Sequence, residues 1–384
     1  MNFYLPTRIY CGDQSVNHLM DLTQERIMIC ADPFLKENAI LQNIIEKLEG
    51  TGKKVTFYTE IVPDAPLSKI EAMVQVVKEK KAQVLVAIGG GSALDATKSS
   101  RFFYEKIYGV HLPLIAIPTT SGTGSEVTDY VVIKDHENGK KTPLFDPAIF
   151  PDVAILDPGC VTTMPSSVAR DTGLDVLTHA LEAYVSKESN IFTKTYAYKA
   201  IALVFENLKK SVLEKDPEAQ VNMHYASTMA GIAFGQSGLG INHSLAHAMG
   251  GRYGLPHGRA NGILLPYVLA FHGSRKEGIY DEICQGLGLS GFSADRRLKN
   301  FIKDLVQLRK DLDLPDSFRE AGLDQEAFYE DLDDLVNLAL KDPCTGSSPL
   351  AVDQKDLREL LETAYLGHPK KRVYGSSVLA NPSF

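Results

Sequence analysis

The sequence predicts an α/β domain followed by an all-helical domain. Two observations support this fold class. Short apolar runs alternate with helical segments over about the first 160 residues, as in a parallel sheet covered by helices. Beyond that point the spacing of apolar residues is that of helices. We place the boundary so that the two predicted domains span 1–163 and 164–384.

The strands of the first domain are predicted from runs of apolar and β-branched residues. Such continuous runs are typical of strands that are buried on both faces of a sheet. Helical segments follow these runs, one after RIMICA to about Glu49, one at 67–81 and one that begins near Ser92. The predicted strands are RIMICA (26–31), KVTFY (54–58), QVLVAI (83–88), LIAI (114–117) and VAIL (153–156).

The second domain begins where Asp-Pro and Met-Pro pairs interrupt the pattern, between residues 157 and 165. Helical periodicity is clear at 177–185, 195–208 and 221–233. The last residues, from about Gly367, are rich in Pro, Lys and Ser and are expected to form a loose tail.

Composition excludes several classes of protein. The chain has 384 residues with a formal net charge of -8, which argues against a nucleic-acid surface. Its five cysteines are scattered and form no C-x-x-C pair, so we expect reduced thiols. We find neither a signal peptide nor an apolar run long enough to span a membrane, and we therefore expect a cytoplasmic protein.

Four histidines and one aspartate form a pattern that indicates a metal site. Asp175 and His179 are four residues apart in a predicted helix, so they lie on one face about one turn apart. His243 and His247 have the same spacing, and His257 lies in a Pro-His-Gly turn. A single Asp/His pair is more often a surface contact or a core pair. The second pair and the turn favour a common divalent ion.

The donor types limit the identity of the metal. No thiolate belongs to the set, which argues against a structural zinc site. Three imidazole nitrogens and one carboxylate oxygen suit Fe(II), Zn, Co or Ni, and affinity order alone does not select iron.

Three segments of the first domain are candidates for nucleotide binding. The strand QVLVAI leads into Gly89-Gly90-Gly91-Ser92 and a helix, where backbone N–H groups can bind a pyrophosphate. The hydroxyl-rich loop 117–128 can donate further bonds, and Asp32 follows a strand where it can accept ribose hydroxyls. Each segment also has an interpretation without a ligand. The glycines can form a tight turn, the loop 117–128 can be a flexible polar loop, and Asp32 can be a turn former before Pro33.

Together these motifs resemble the iron-containing (group III) alcohol dehydrogenase family. The resemblance covers essentially the whole chain and implies a dehydroquinate synthase-like fold. It assigns the metal ligands to Asp175, His179, His243 and His257, and it places His247 beside substrate and nicotinamide as a catalytic residue. The segments that carry it are GGGSALDATK, AIPTTSGTGSEVT, TGLDVLTHALEAYVS and GINHSLAHAMGGRYGLPHGRANGILLP.

The resemblance also implies the cofactors. It favours Fe(II), with Zn as the alternative, and an acidic residue at position 32 favours NAD over NADP. The residues that it assigns to the cofactor are Asp32, Gly90, Gly91, Ser92, Asp95, Thr119, Thr120, Thr123, Thr128 and Lys141.

We therefore expect an NAD-dependent enzyme that interconverts a small primary alcohol and its aldehyde. The expected partners are this small substrate and a second copy in a homodimer, with no nucleic acid and no membrane. Motifs such as NHSLAHAMGG are similar to members that act on ethanol or 1-propanol in ethanolamine or propanediol breakdown, some of them inside bacterial microcompartments. The alternatives are a dehydroquinate synthase-like lyase, a glycerol dehydrogenase, and a non-catalytic nucleotide- or metal-binding protein.

Overall fold

A computed structural model describes residues 3–62, 66–134 and 141–368 of the chain. Internal contacts divide it into two compact units. Of the described residues, those in 3–168 and 217–235 form the first unit, and those in 169–216 and 236–368 form the second.

The first unit is built on a parallel sheet, as predicted. Among the described residues six strands form this sheet in the order β1-β8-β5-β4-β2-β3, and β6 and β7 form a separate antiparallel pair. The strands are β1 (Arg8–Cys11), β2 (Arg26–Ala31), β3 (Lys54–Tyr58), β4 (Val84–Gly89), β5 (Leu114–Pro118), β6 (Tyr130–Lys134), β7 (Lys141–Phe145) and β8 (Val153–Leu156).

Both faces of this sheet are buried, which explains the continuous apolar runs. On β4, Val84 and Val86 belong to one apolar cluster, and Leu85 and Ala87 belong to the cluster on the opposite face. Strand side chains alternate between faces, so a strand covered on both sides needs apolar residues at every position. The covering helices include α1 (Ala39–Gly50), α2 (Leu67–Glu79) and α3 (Gly91–Tyr108).

The strand order creates a switch point between β2 and β4. From β2 the chain moves outward to β3, and it then returns to β4 on the other side of β2 before it continues to β5. In such sheets ligands bind at the carboxyl ends of the two strands where the direction reverses. Asp32 follows β2 directly and Gly89 ends β4, so both candidates flank this point.

Helices dominate the chain after β8. The helices are α4 (Ser166–Val185), α5 (Ile191–Lys209), α6 (Pro217–Ser237), α7 (Ile241–Tyr253), α8 (His257–Arg275), α9 (Asp281–Gly286), α10 (Ala294–Asp311), α11 (Gln325–Lys341), α12 (Pro343–Ser347) and α13 (Gln354–Leu366). Most of α6 belongs to the first unit. None of the described helices is long and apolar enough to cross a membrane.

The core of the second unit lies around α4, α7 and α8. Nearly every residue of α4 from Gly173 to Tyr184 is buried, including the polar ones. A helix that is buried all round cannot keep its charged groups hydrated, so those groups need partners or a bound ion. Polar residues in this core therefore mark the region of interest.

A histidine cluster and a glycine loop

Four side chains from three helices converge in the second unit. Asp175 and His179 lie on α4, His243 on α7, and His257 at the start of α8. One potential ligand atom from each lies within 4.8 Å of all the others. Asp175 Oδ1 is 3.6 Å from His243 Nε2 and 3.5 Å from His257 Nε2. These distances exceed ordinary hydrogen-bond length.

The local sequence explains how α8 comes so near to α4. The helix begins at His257, directly after Pro256. A Cβ atom at Gly258 would lie 2.6 Å from the carbonyl carbon of Asp171 and 3.2 Å from the Cβ of Asp175. Only a glycine permits this backbone contact, which brings His257 next to Asp175.

Burial and neighbouring charges determine the protonation states of the groups in this cluster. Asp175 and His179 are each 4% exposed, and His243 is 1% exposed. Burial lowers the pKa of His179 to about 3, against the attraction of Asp175. Burial would raise the pKa of Asp175, but the neighbouring imidazoles hold it well below its ordinary range. The cluster therefore combines a carboxylate anion with a neutral imidazole, which are the forms that bind metal ions.

His243 has a second carboxylate on its other side. Its Nδ1 atom is 2.6 Å from Glu182 Oε2, and Glu182 is buried. Burial would lower the pKa of His243, but Asp175 and Glu182 outweigh that effect and raise it to about 9. The two carboxylates thus attract a positive charge to this position. Within the described part of the chain His243 Nε2 is buried and has no hydrogen-bond partner.

Asn261 holds the other side of the cluster. Its Nδ2 atom donates to Asp175 Oδ1 at 2.7 Å and lies 3.1 Å from His257 Nε2. Its Oδ1 atom accepts a bond of 2.8 Å from Asn242 Nδ2, which fixes the orientation of the amide. Both asparagines are fully buried, so they stabilise the position of the carboxylate without competing water.

His247 lies at the exposed side of the cluster. Its ring stacks on that of His257 with centroids 5.2 Å apart, and its side chain is 42% exposed. Its Nδ1 atom is 2.8 Å from Asp342 Oδ2, and Asp342 is held by the backbone N–H of Cys344. His247, Asp342 and Cys344 also lie close enough to hold an ion. Burial raises the pKa of the Cys344 thiol well above its ordinary value, so the thiolate that a metal needs is disfavoured.

The glycine loop of the first unit lies against Asp32. The carboxylate of Asp32 accepts a bond of 3.0 Å from the N–H of Gly90, the residue that precedes α3. Gly89 has φ +154°, and a Cβ there would strike Asp32 and lie 2.7 Å from the Cβ of Ala93. Burial raises the pKa of Asp32, and the Gly90 N–H partly offsets this. Gly91 and Ser92 form the first turn of α3, where N–H groups lack helical partners.

The threonine loop packs against this turn. The N–H of Thr119 donates to the Gly89 carbonyl at 2.9 Å. Cβ atoms added at Gly90 and Gly91 would contact Thr120 at 3.4 Å and Thr123 at 2.8 Å. Space for the loop therefore requires glycine at Gly91, whereas a side chain at Gly90 would make an ordinary contact.

Lys98 anchors the far end of the same loop. This fully buried amine donates to the Ser125 carbonyl at 2.9 Å and to Thr128 Oγ1 at 3.1 Å. Ser125 donates to Asp95 at 2.5 Å. Thr128 is thus buried and bonded within the protein. The remaining cofactor candidate, Lys141, begins β7, but its side chain lies outside the described residues.

Sequence reasoning missed four residues that support these groups: Glu182, Asn261, Asp342 and Lys98. A signal for Glu182 existed, because it lies seven residues after Asp175 and three after His179, on the same face of α4. Asp342 had no such signal, because it is 95 residues from His247 and meets it only in the folded chain.

Comparison with known families decides the assignment. Residues 6–158 match the iron-containing alcohol dehydrogenases, and residues 169–365 match the C-terminal part of the Fe-containing alcohol dehydrogenase family. The chain belongs to this family. It is therefore an oxidoreductase, and the predicted fold class and enzyme class are confirmed. The match favours the dehydrogenase over the lyase that the sequence left open.

Individual relatives cover the chain almost completely. A 1-propanol dehydrogenase PduQ from Citrobacter freundii is 39% identical over 94% of this chain and 99% of its own length. An NADPH-dependent butanol dehydrogenase from Clostridium saccharobutylicum is 34% identical over 96% and 98%. An aldehyde-alcohol dehydrogenase from Streptococcus pneumoniae is 35% identical over 96% of this chain, which spans only 46% of that longer protein.

Solved structures show the same fold. An iron-containing alcohol dehydrogenase from Thermococcus thioreducens superposes with a TM-score of 0.87 and 34% identity, over 96% of this chain and all of that one. A sulfoacetaldehyde reductase from Bifidobacterium kashiwanohense, solved in complex with NAD+, gives 0.84 and 26% over 94% and 98%.

Proposed function

We propose that this family member is an NAD-linked dehydrogenase that interconverts a small primary alcohol and its aldehyde. A divalent ion, Fe(II) in first place and Zn as the alternative, would be held by Asp175, His179, His243 and His257. The observation that carries this proposal is the convergence of these four donors around one point. We assign the ion to the helical domain (164–384) and the dinucleotide to the α/β domain (1–163).

The residues of the cluster fit a divalent ion. Three of the four donors are buried, and a buried carboxylate needs a compensating positive charge. The Nδ1 atom of His243 contacts Glu182, and its Nε2 atom, which has no hydrogen-bond partner among the described residues, lies on the side of the other donors. One carboxylate and three imidazoles are also the donor types that Fe(II) and Zn accept.

The chemistry follows from this donor set. A bound divalent ion would supply Lewis acidity that lowers the pKa of an alcohol, and NAD would accept the hydride from its carbinol carbon. The hydroxyl proton would be transferred by side chains of the protein. His247 can take the hydroxyl proton because an imidazole nitrogen accepts protons, and its exposed ring can pass that proton to solvent. Asp342 orients it through the contact at Nδ1.

The switch point of the sheet supports the cofactor assignment. Gly90, Gly91 and Ser92 present the start of α3 to a pyrophosphate, beside the loop that contains Thr119, Thr120 and Thr123. Asp95, Thr128 and Lys141 complete the proposed set. Asp95 accepts a hydrogen bond from Ser125, and Thr128 accepts one from Lys98, so both residues stabilise the loop.

Asp32 is the basis for proposing NAD rather than NADP. A carboxylate in this position accepts ribose hydroxyls and repels a 2′-phosphate. The butanol dehydrogenase relative is named as NADPH-dependent, so cofactor choice varies among similar proteins and has to be argued from this chain's own residue.

Metal loading combined with turnover tests the proposal. Purified protein is stripped with a chelator, reloaded separately with Fe(II) or Zn, and assayed for NADH loss with a panel of short aldehydes. We expect one ion per chain and activity only after reloading. His257→Ala should lose ion and activity together, and His111→Ala, a surface histidine of the first unit, should lose neither. Full turnover in the stripped protein would refute the metal assignment.

The proposed substrate class rests on similarity to relatives and not on the shape of a pocket. The 1-propanol dehydrogenase relative supports a short primary alcohol, so the panel should span acetaldehyde, propanal and butanal. Bound NAD and metal without turnover of any aldehyde would support the non-catalytic alternative. The homodimer, the cytoplasmic location and the microcompartment location stay predictions, to be tested by light scattering and by imaging of a tagged protein.

A further inference from the structure

One buried carboxylate links the start of α7 to the histidine cluster. Glu182 on α4 accepts the N–H of Asn242 at 2.7 Å and that of His243 at 3.4 Å. These are the second and third residues of α7, whose first N–H groups have no partner within the helix. The residue before α7 is Gly240, which offers no capping side chain. Glu182 thus caps α7 from another helix.

The same carboxylate also holds the His243 ring. Its Oε2 atom lies 2.6 Å from His243 Nδ1. A carboxylate there keeps a proton on Nδ1, so in the neutral ring that binds a metal ion Nε2 is the lone-pair nitrogen on the cluster side. Nε2 is the buried atom that has no hydrogen-bond partner within the described residues. Backbone and side chain of one histidine are therefore fixed by a single group.

Gly240 is required by this arrangement. A Cβ at that position would lie 2.6 Å from Glu182 Oε1 and 3.1 Å from its carboxyl carbon. Its φ of -151° is extended backbone that any residue adopts, so the reason for glycine is space and not backbone conformation. An ordinary capping residue such as Ser or Asp would collide with the carboxylate.

We infer that Glu182 is a positioning residue for the metal site, which caps α7 and holds His243 in the tautomer and orientation that bind the ion. The inference rests on the proposed function, because it takes His243 as a ligand. It means that metal binding requires Glu182 in addition to the four ligands, which the spacing of the ligands alone does not indicate. Removing the carboxylate should weaken metal binding even though all four ligands remain.

The test is the affinity of the stripped protein for Co²⁺, measured by competition with a chelating dye, together with the visible absorption of bound cobalt. Glu182→Gln keeps the size of the side chain but turns an amide nitrogen toward backbone donors. We expect Co²⁺ affinity to fall about 10- to 100-fold and the cobalt spectrum to change. Gly240→Ala displaces the carboxylate without removing it and should weaken binding in the same direction.

A second cap provides the matched control. Asn190 caps α5 by accepting the N–H groups of Phe192 and Thr193, is buried like Glu182, and forms these bonds within its own segment. We expect Asn190→Ala and Glu182→Gln both to lower the urea midpoint, but Asn190→Ala to leave Co²⁺ affinity and spectrum as in the wild type.

The outcomes are distinguishable. Co²⁺ affinity in Glu182→Gln and Gly240→Ala within about threefold of the wild type, which is under 1 kcal/mol, would overturn the inference and leave the proposed function intact. An equal loss of affinity in Asn190→Ala would also overturn it, since any lost cap would then suffice. A wild-type protein that binds no Co²⁺ would overturn the proposed function and the inference together.

Discussion

The contact between α8 and α4 should control the metal cluster, and Gly258→Ala tests this directly. An added Cβ would lie 2.6 Å from the carbonyl carbon of Asp171. Carbon atoms in contact are normally about 3.5–4.0 Å apart, so the two helices must separate by roughly 1 Å at this point. The obstacle is backbone, which cannot rotate away as a side chain can.

The expected effect is large because His257 is the adjacent residue. A shift of about 1 Å at a catalytic group typically costs about 100-fold in rate. It would also lengthen the bond of 2.7 Å between Asn261 and Asp175, which lies across the same contact. Overpacking of this kind destabilises a fold by about 1–3 kcal/mol. We therefore expect kcat/KM to fall about 100-fold in a protein that still folds.

Two other glycines serve as controls. On the same helix, a Cβ at Gly262 would lie 3.0 Å from methyl carbons of Leu174 and Leu314, which can move aside. Gly262→Ala should therefore cost about 1 kcal/mol or less. Gly251 lies in α7, where nothing lies within 4 Å of an added Cβ. Alanine there should stabilise α7 by up to about 1 kcal/mol. Metal content, kcat/KM and urea unfolding are measured for all three variants. Normal metal content and turnover in Gly258→Ala would refute the reasoning.

Three further predictions follow from other parts of the structure. Asp32→Ala removes a charge that opposes a 2′-phosphate, so the ratio of kcat/KM for NADP to that for NAD should rise at least about tenfold, and an unchanged ratio would count against Asp32 as the selector. Asn261→Leu removes the donor to buried Asp175 and should lower the free energy of unfolding of stripped protein by about 1.5–3 kcal/mol in urea titrations, whereas a change below about 0.5 kcal/mol would contradict that role. Burial raises the pKa of the Cys30 thiol from 9.0 to about 12, so the folded chain keeps a proton that the unfolded chain releases. Wild-type stability should therefore fall more steeply than that of Cys30→Ala between pH 9 and 12, and parallel curves would refute the assignment.

The parallel sheet was predictable because its cause is local. Every strand that is covered on both faces needs apolar residues at consecutive positions, and the runs 83–88 and 114–117 show this directly. The proposed metal donors were candidates in the sequence for a similar reason. Two of them lie one helical turn apart, and spacing of this kind is visible in sequence before any tertiary contact is known.

The placement of α6 was not predictable from these patterns. Residues 217–235 belong to the first unit although they follow 48 residues of the second, from 169 to 216. The contact depends on Gly231, where a Cβ would lie 2.8 Å from the Cα of Gly124. In sequence, a glycine inside a helix only indicates a weak helix former. Its reason is a backbone contact with a loop that lies 107 residues earlier.

The histidines of the cluster differ in how exposed their side chains are, and this difference suits them to different roles. His179 and His243 are enclosed with Asp175, so an ion bound there would compensate the cost of burying the carboxylate. His247 and His257 each have side chains that are 42% exposed, and their rings stack at the open side. A substrate would reach the proposed ion from that side, because the other three donors are buried. A histidine at the entrance, already bonded to a carboxylate, is therefore better placed to move the hydroxyl proton than any of the enclosed ones.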